Sequence, residues 1–261
     1  MKKLLLNLYF WPFFSLITLI GICLIPFGIA VNSLIGLHSY HRLLRRGIRG
    51  YGWILVRLLP VMAPVTLIDK SGGLPCPAIY VANHCSSVDP YLFGILAVEN
   101  GFVTSWPFKI PVFKWIMREA QYIDSNKGWD VIRNQAAQLL AHDCSLIFWP
   151  EGHRSRDGGM TRFKNGAFYL SCLTNTPIIP VCIKGSGTLM EPGARLLTPA
   201  RVSLTLLPPV FPDGAAEDVE YIKNFKAKVK EMIFAEQQYR SGNYKPAVCP
   251  PDNNGPSLTH P

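Results

Sequence analysis

The chain has 261 residues, room for one large α/β domain with an appendage. Hydrophobic residues make up 49% and charged residues only 16%, which excludes a disordered chain, and a mean hydropathy of +0.18 places part of the protein in or on a membrane. The net charge of +9 does not mark a nucleic-acid binder: residues 1–57 carry seven Lys/Arg and no acid, while the other 204 residues hold 19 bases against 17 acids, so the surplus flanks an apolar N-terminus and suits an anionic membrane surface.

From Leu4 to Leu37 there are 34 residues without a charged side chain, interrupted by Pro12 and Pro26. One span needs about 20 residues and two need about 40. Lys2 and Lys3 precede the run and the Arg42–Arg49 cluster follows it. Both basic flanks can face the cytoplasm if two short helices dip into one leaflet, bending near Pro26 and Gly28; one tilted transmembrane helix is the alternative. The chain then divides into a membrane-embedded helical segment (1–41), a basic interfacial linker (42–64), a folded domain (65–240) and a disordered tail (241–261) rich in Pro, Asn and Gly. The seven cysteines are odd in number and contain no C-x-x-C pair, so neither a disulfide framework nor a zinc site is expected.

Beyond the linker, strand-like and helix-like runs alternate. Ala78–Ala82 reads as a buried strand, and Asp89-Pro90 opens a helix to about Val98, with Asp89 as cap. Phe102–Ser105 reads as a strand and Pro111–Glu119 as a short helix. Trp129–His142 carries Val131, Ile132, Ala136, Leu139 and Leu140 at helical spacing. Ser145–Trp149 is a strand, Phe163–Leu173 a helix, and Ile178–Ile183 and Val202–Leu207 are strands. Pro180 places its strand at a sheet edge or at a bulge. Tyr221–Gln238 is an amphipathic helix whose Lys223, Lys226, Lys228 and Lys230 form a solvated face. The alternation predicts an α/β fold, two-layer or sandwich, around a mostly buried mixed sheet.

Two blocks carry chemistry. Asn83-His84-Cys85-Ser86-Ser87-Val88-Asp89 lies where a strand gives way to a helix, a common place for functional groups in α/β proteins. His84 can move a proton near neutral pH, and Asp89, five residues on, can fold back to orient the ring. The plain alternative is a loop histidine beside a helix cap. The second block, Phe148-Trp149-Pro150-Glu151-Gly152-His153-Arg154-Ser155, follows another strand. Gly152 permits close backbone approach, and Arg154 offers a planar fork for phosphate. Glu151 either pairs with Arg154 or accepts from a substrate hydroxyl.

Together these blocks resemble the lysophospholipid acyltransferase superfamily, whose best-known members are 1-acylglycerol-3-phosphate acyltransferases. The first matches that family's N-H-x-x-x-x-D motif. The second matches F-P-E-G-T-R-S, with His153 in place of Thr and a Trp inserted before the Pro-Glu-Gly. Phe163-Lys164-Asn165-Gly166-Ala167 and Ile179-Pro180-Val181 also fit, so the likeness covers roughly residues 50–210. It implies that His84, oriented by Asp89, deprotonates a hydroxyl of a lysophospholipid acceptor, which attacks the thioester of acyl-CoA or acyl-carrier protein. It implies that Glu151, Gly152, Arg154 and Ser155 bind the acceptor, with no metal and no cofactor beyond the donor. It further implies a bacterial inner-membrane protein whose catalytic domain faces the cytoplasm.

The family's second motif departs here: its Lys and Arg positions fall on Thr104 or Ser105 and on Ser125, with Lys109, Lys114 and Lys127 out of register. A differently charged acceptor therefore stays open. Other readings of the same residues are a Cys85–His84 nucleophile, a metal site from His84, Asp89, Glu151 and His153, and a monotopic lipid-binding protein without turnover.

Overall fold

The computed structural model describes residues 1–36, 40–58, 63–155 and 159–239; the expected tail at 241–261 lies outside the described residues. In chain order the elements are α1 (Lys2–Ile35), α2 (Tyr40–Leu58), β1 (Val65–Asp69), β2 (Ile79–Ala82), α3 (Asp89–Leu92), β3 (Asn100–Thr104), α4 (Pro111–Glu119), β4 (Ile123–Asp124), α5 (Trp129–Ala141), β5 (Ser145–Phe148), α6 (Gly166–Thr174), β6 (Ile178–Lys184), α7 (Ser186–Leu189), β7 (Val202–Leu206) and α8 (Val219–Gln238).

The seven strands form one mixed sheet in the order β1-β7-β6-β2-β5-β3-β4. Every neighbouring pair is parallel except β6 and β7. Alternation along β2 divides the interior: Tyr80 and Ala82 face one apolar core, Ile79 and Val81 the other. The first core is closed by the start of α1, by α2 and by α4, through Leu6, Phe10, Leu44, Leu55 and Ile116. The second is closed by α5, α6 and α8, through Leu139, Phe168, Phe225 and Val229. The fold is thus a sandwich, with helices on both faces of the sheet.

Five expectations are revised. The bend near Pro26 and Gly28 is absent: α1 is one 34-residue helix running through Pro12 and Pro26. Each proline removes one helical hydrogen bond, but an apolar segment offers the remaining backbone no other partners, so the helix continues. A helical pair does form one element later, where α2 lies along α1 and Thr18 Oγ1 meets the Tyr51 hydroxyl at 2.6 Å. The segment read as a basic linker is therefore largely helix α2, whose Leu44, Leu55 and Val56 are buried.

The helix opened by Asp89-Pro90 lasts one turn and passes into a 3₁₀ turn, Phe93–Ile95. Gly94 there presses directly on the α2 backbone. The helix expected from Phe163 starts at Gly166, because Lys164 N–H donates to the Pro150 carbonyl instead (2.8 Å). Lastly, Pro180 lies on an interior strand, between β2 and β7. Its carbonyl accepts from Leu207 N–H (2.9 Å), so its missing donor also faces the β7 side, just past the point where that ladder ends at Val181↔Leu206.

α1 is long and apolar enough to cross a membrane. Its first turns are held by the domain: Leu6, Asn7 and Phe10 are buried. Farther along, Leu19, Leu24, Phe27 and Leu34 are exposed, a pattern consistent with membrane association.

Candidate active site

β2 and β5 are parallel neighbours at the centre of the sheet, so the loops leaving their C-terminal ends lie side by side. The chain moves from β2 outward to β3 and β4, returns through β5, and then crosses to β6 on the other flank of β2. Functional groups in open α/β sheets collect at such a reversal. The two sequence blocks meet there.

His84 Nδ1 lies 2.8 Å from Asp89 Oδ2. A carboxylate only accepts, so Nδ1 carries the proton and Nε2 presents its lone pair. The Asp89 carboxylate is fully buried, and Oδ2 also accepts from the Cys85 and Ser86 backbone N–H groups, each at 2.8 Å. Three donors on one oxygen fix the carboxylate, and the carboxylate fixes the ring. The sequence placed Asp89 at the cap of α3, but the N-cap position falls on Val88 with no side-chain cap; Asp89 is the first helical residue, and its carboxylate turns back to the His84 loop instead. Asn83 secures the loop from the other side: Nδ2 donates to the Ile183 carbonyl (2.9 Å) and Oδ1 accepts from Ile183 N–H (2.7 Å).

The imidazole stacks on Trp149, with ring centroids 4.8 Å apart and planes at 30°. Trp149 in turn stacks on Phe102 at 5.5 Å and 5°. The Trp that interrupts the second motif is therefore the wall against which His84 rests, a role with no signal in the sequence beyond the interruption itself. An indole face also favours the imidazolium formed when the ring takes a proton.

Glu151 is buried at 3% exposure and is saturated by the protein. Oε1 accepts from His84 N–H (3.1 Å), and Oε2 from Thr161 N–H (2.9 Å) and Thr161 Oγ1 (3.0 Å). Among the described residues no ion pair joins it to Arg154. Its contacts are those of a clamp tying the second block to the first. Ser155 N–H completes the tie by donating to the His84 carbonyl at 2.7 Å. Gly152 has φ +76°, and a Cβ there would come within 2.7 Å of Lys164 Nζ, so the glycine admits an ammonium against the loop. Arg154 is exposed beside it. Among the described residues, no group of three His, Cys, Asp or Glu is placed to hold a metal ion.

A cavity of about 760 Å³ adjoins the His84 loop, walled in part by Cys85, Ser155, Ser186, Gly187 and Glu191. Gly187 lets this wall approach the His84 loop: a Cβ there would sit 3.3 Å from Cys85 Cβ. The second-motif positions also come together, with Ser125 N–H donating to the Thr104 carbonyl at 3.0 Å, and both side chains are neutral.

Comparison with known proteins finds the following similarities. Residues 72–184 match the family model described as Acyltransferase. The chain is 31% identical over 164 residues to a chloroplastic 1-acyl-sn-glycerol-3-phosphate acyltransferase of Arabidopsis thaliana, covering 60% of this chain and 45% of that protein. It is 32% identical over 156 residues to one from Chlamydomonas reinhardtii, covering 56% and 47%. It is 30% identical over 152 residues to the human alpha form, covering 54% and 53%. The chain thus spans about half the length of the curated relatives it matches. The crystal structure of the 1-acyl-sn-glycerophosphate acyltransferase PlsC from Thermotoga maritima superposes with a TM-score of 0.67 at 24% identity, covering 92% of this chain and all of that one, which establishes a shared fold. Residues 72–184 thus match an acyltransferase model, and the chain is similar to the 1-acyl-sn-glycerol-3-phosphate acyltransferases and shares the fold of one of them.

Proposed function

We propose that this protein is a membrane-associated acyltransferase that moves a fatty acyl group from a thioester to a hydroxyl of a lysophospholipid, with 1-acylglycerol-3-phosphate as acceptor and phosphatidic acid as product. The observation that carries the reading is the 2.8 Å contact between His84 Nδ1 and the buried Asp89 carboxylate, which leaves Nε2 as the basic nitrogen.

Nε2 removes the proton from the acceptor hydroxyl, and the oxygen attacks the thioester carbonyl of acyl-CoA or acyl-carrier protein. The C–O bond forms, the C–S bond breaks, and the proton held on Nε2 passes to the departing sulfur. No covalent acyl-enzyme is needed and no cofactor besides the donor. Asp89 keeps the ring in the correct tautomer and stabilises the imidazolium. Arg154 and Ser155 hold the phosphate and glycerol end of the acceptor, on a loop that Glu151 and Gly152 shape. We infer that the catalytic domain lies on the cytoplasmic side of its membrane, a reading supported by the basic residues of α2 that follow the apolar helix.

The test is transfer of labelled acyl groups by purified protein in mixed micelles, with acyl-CoA and acyl-carrier protein offered against a panel of lysolipids. Transfer to 1-acylglycerol-3-phosphate is expected, falling by about 10²–10⁴-fold in His84→Ala and surviving in Cys85→Ala. Absence of His84-dependent transfer to every acceptor would overturn the reading. A second reading, a lysolipid acceptor with another head group, is favoured by the neutral Thr104 and Ser125 where the family's second motif carries charge; it predicts that 1-acylglycerol-3-phosphate is not the best acceptor in the panel.

A further inference from the structure

The lysines of α8 do not form one solvated face. Lys223, Lys226 and Lys230 follow one another at helical spacing and, with Arg162, Phe163 and Met160, line a groove of about 380 Å³. The cations come from two elements far apart in sequence, and the lining includes no acid. Lys230 Nζ lies 5.7 Å from the centroid of the Phe163 ring, and Lys226 Nζ donates to Asn165 Oδ1 at 2.6 Å. Lys223 pairs with exposed Glu220 at 3.2 Å, outside the groove. Among the described residues Arg162 has no carboxylate within ion-pair distance. Burial first, and the neighbouring Arg162 second, lower the affinity of Lys226 for its proton.

The groove is coupled to the catalytic loop. Thr161, next to Arg162, donates twice to Glu151, which accepts from His84 N–H. It lies with α8 on the face of the sheet opposite α1 and α2, away from the layer that carries the membrane helix.

We propose that this groove binds the nucleotide end of a coenzyme A thioester, its phosphates on Arg162, Lys223, Lys226 and Lys230 and its base against the accessible apolar lining of Met160 and Ala227. The inference rests on the acyl-transfer reading above and extends it to the choice of donor. A transferase for lipids must take its acceptor from the bilayer and its donor from water, so a donor site belongs on the layer opposite the membrane helix. Several phosphates need several cations in one place, and cations flanked by accessible apolar side chains suit a nucleotide better than bare phosphate. The volume lies within the range of about 300–1,000 Å³ of small-molecule sites, whereas a carrier protein would need a broad surface of about 800 Å².

The experiment compares an acyl-CoA with the corresponding acyl-pantetheine, which has the same thioester and no nucleotide, using full-length protein in mixed micelles. In Arg162→Ala/Lys223→Ala, both exposed positions, the KM for acyl-CoA should rise about tenfold, with kcat and the KM for acyl-pantetheine unchanged. Lys226→Met should do the same and weaken inhibition by adenosine 3′,5′-bisphosphate. An unchanged KM for acyl-CoA, or an equal rise for both donors, would overturn the proposal. A rise confined to acyl-carrier protein would overturn it in favour of a protein partner. Calorimetric binding of adenosine 3′,5′-bisphosphate, present in the wild type and lost in the double variant, supports the groove even if the wild type transfers no acyl group; no binding to the wild type overturns it.

Discussion

Glu151 illustrates how a motif residue acquires its role from partners outside the motif. Its three accepted hydrogen bonds come from His84 and Thr161, and its burial leaves no water to replace a lost bond. Glu151→Gln turns one acceptor oxygen into a donor facing donors, so a loss of about 1–3 kcal/mol of stability is expected, with acyl transfer falling as the His84 loop loosens. Thermal unfolding in detergent micelles, run beside the transfer assay, checks both. The cysteines divide by environment. Burial pushes the thiols of Cys144 and Cys182 up to about 12, so at pH 8 both stay protonated and inert to alkylation. Iodoacetamide at pH 8 should therefore spare Cys144 and Cys182 in the folded protein and label both in denaturant, read by peptide mass spectrometry. The His84–Asp89 pair was legible in the sequence because five residues of local chain bring the two together. The Glu151–Thr161 contact and the Trp149 stack were not, because they need a loop to close back on the sheet.

At the scale of elements, α2 is fixed by a contact between backbones. A Cβ on Gly94 would lie 2.4 Å from Trp53 N, 2.5 Å from Gly52 C and 2.8 Å from Arg49 O. Gly94→Ala must push α2 off the α3 turn, costing about 1–3 kcal/mol by overpacking. Gly47→Ala, in the same helix with nothing within 4 Å of its Cβ, should instead raise stability by about 0.5–1 kcal/mol. Opposite shifts of the unfolding midpoint in the two variants would confirm the docking; equal shifts would exclude it. The arginines of α2 are anchored as well: Arg45, 4% exposed, meets Glu99 at 2.8 Å, and Arg42 reaches the same carboxylate at 2.9 Å. This explains why α2 looked like a linker. Its interior carries a charged residue and several glycines, and burial of Arg45 is compensated by partners more than fifty residues away, the Glu99 carboxylate, the Ala120 carbonyl and Gln121 Oε1.

On the scale of the whole molecule, α1 is held by the domain at its start and has exposed residues along the rest. At about 1.5 Å per residue its 34 residues extend about 51 Å, more than a bilayer core of about 30 Å requires. The surplus is used by the domain. Asn7 Nδ2 donates to the Leu197 carbonyl and Asn7 Oδ1 accepts from Leu197 N–H, both at 2.8 Å. Asn7→Ala strands both buried groups of Leu197 and should destabilise the domain by about 1–3 kcal/mol for each. Leu24→Lys/Phe27→Lys, at exposed positions of the same helix, should leave the unfolding midpoint in place while releasing the protein from liposomes in a flotation assay. If both variants lost stability alike, α1 would be a single structural element instead of one shared between domain and bilayer.

Sequence alone determined the features carried by neighbouring residues. Apolar runs marked β2, β5, β6 and β7, helical spacing marked α5 and α8, an uncharged N-terminus marked a helical segment though not its single unbroken course, and a histidine and an aspartate one loop apart marked a pair that the fold brings into contact. Burial and periodicity are local properties, so a single chain displays them. The tertiary structure decided what depends on distant segments meeting. It set the strand order that puts Pro180 inside the sheet, made the basic linker a docked helix, turned Glu151 inward to His84 and Thr161, and placed Arg162 opposite the lysines of α8. Those outcomes turn on which long-range contacts compensate a missing donor, a buried charge or a crowd of like charges, and that compensation exists only once the chain has folded.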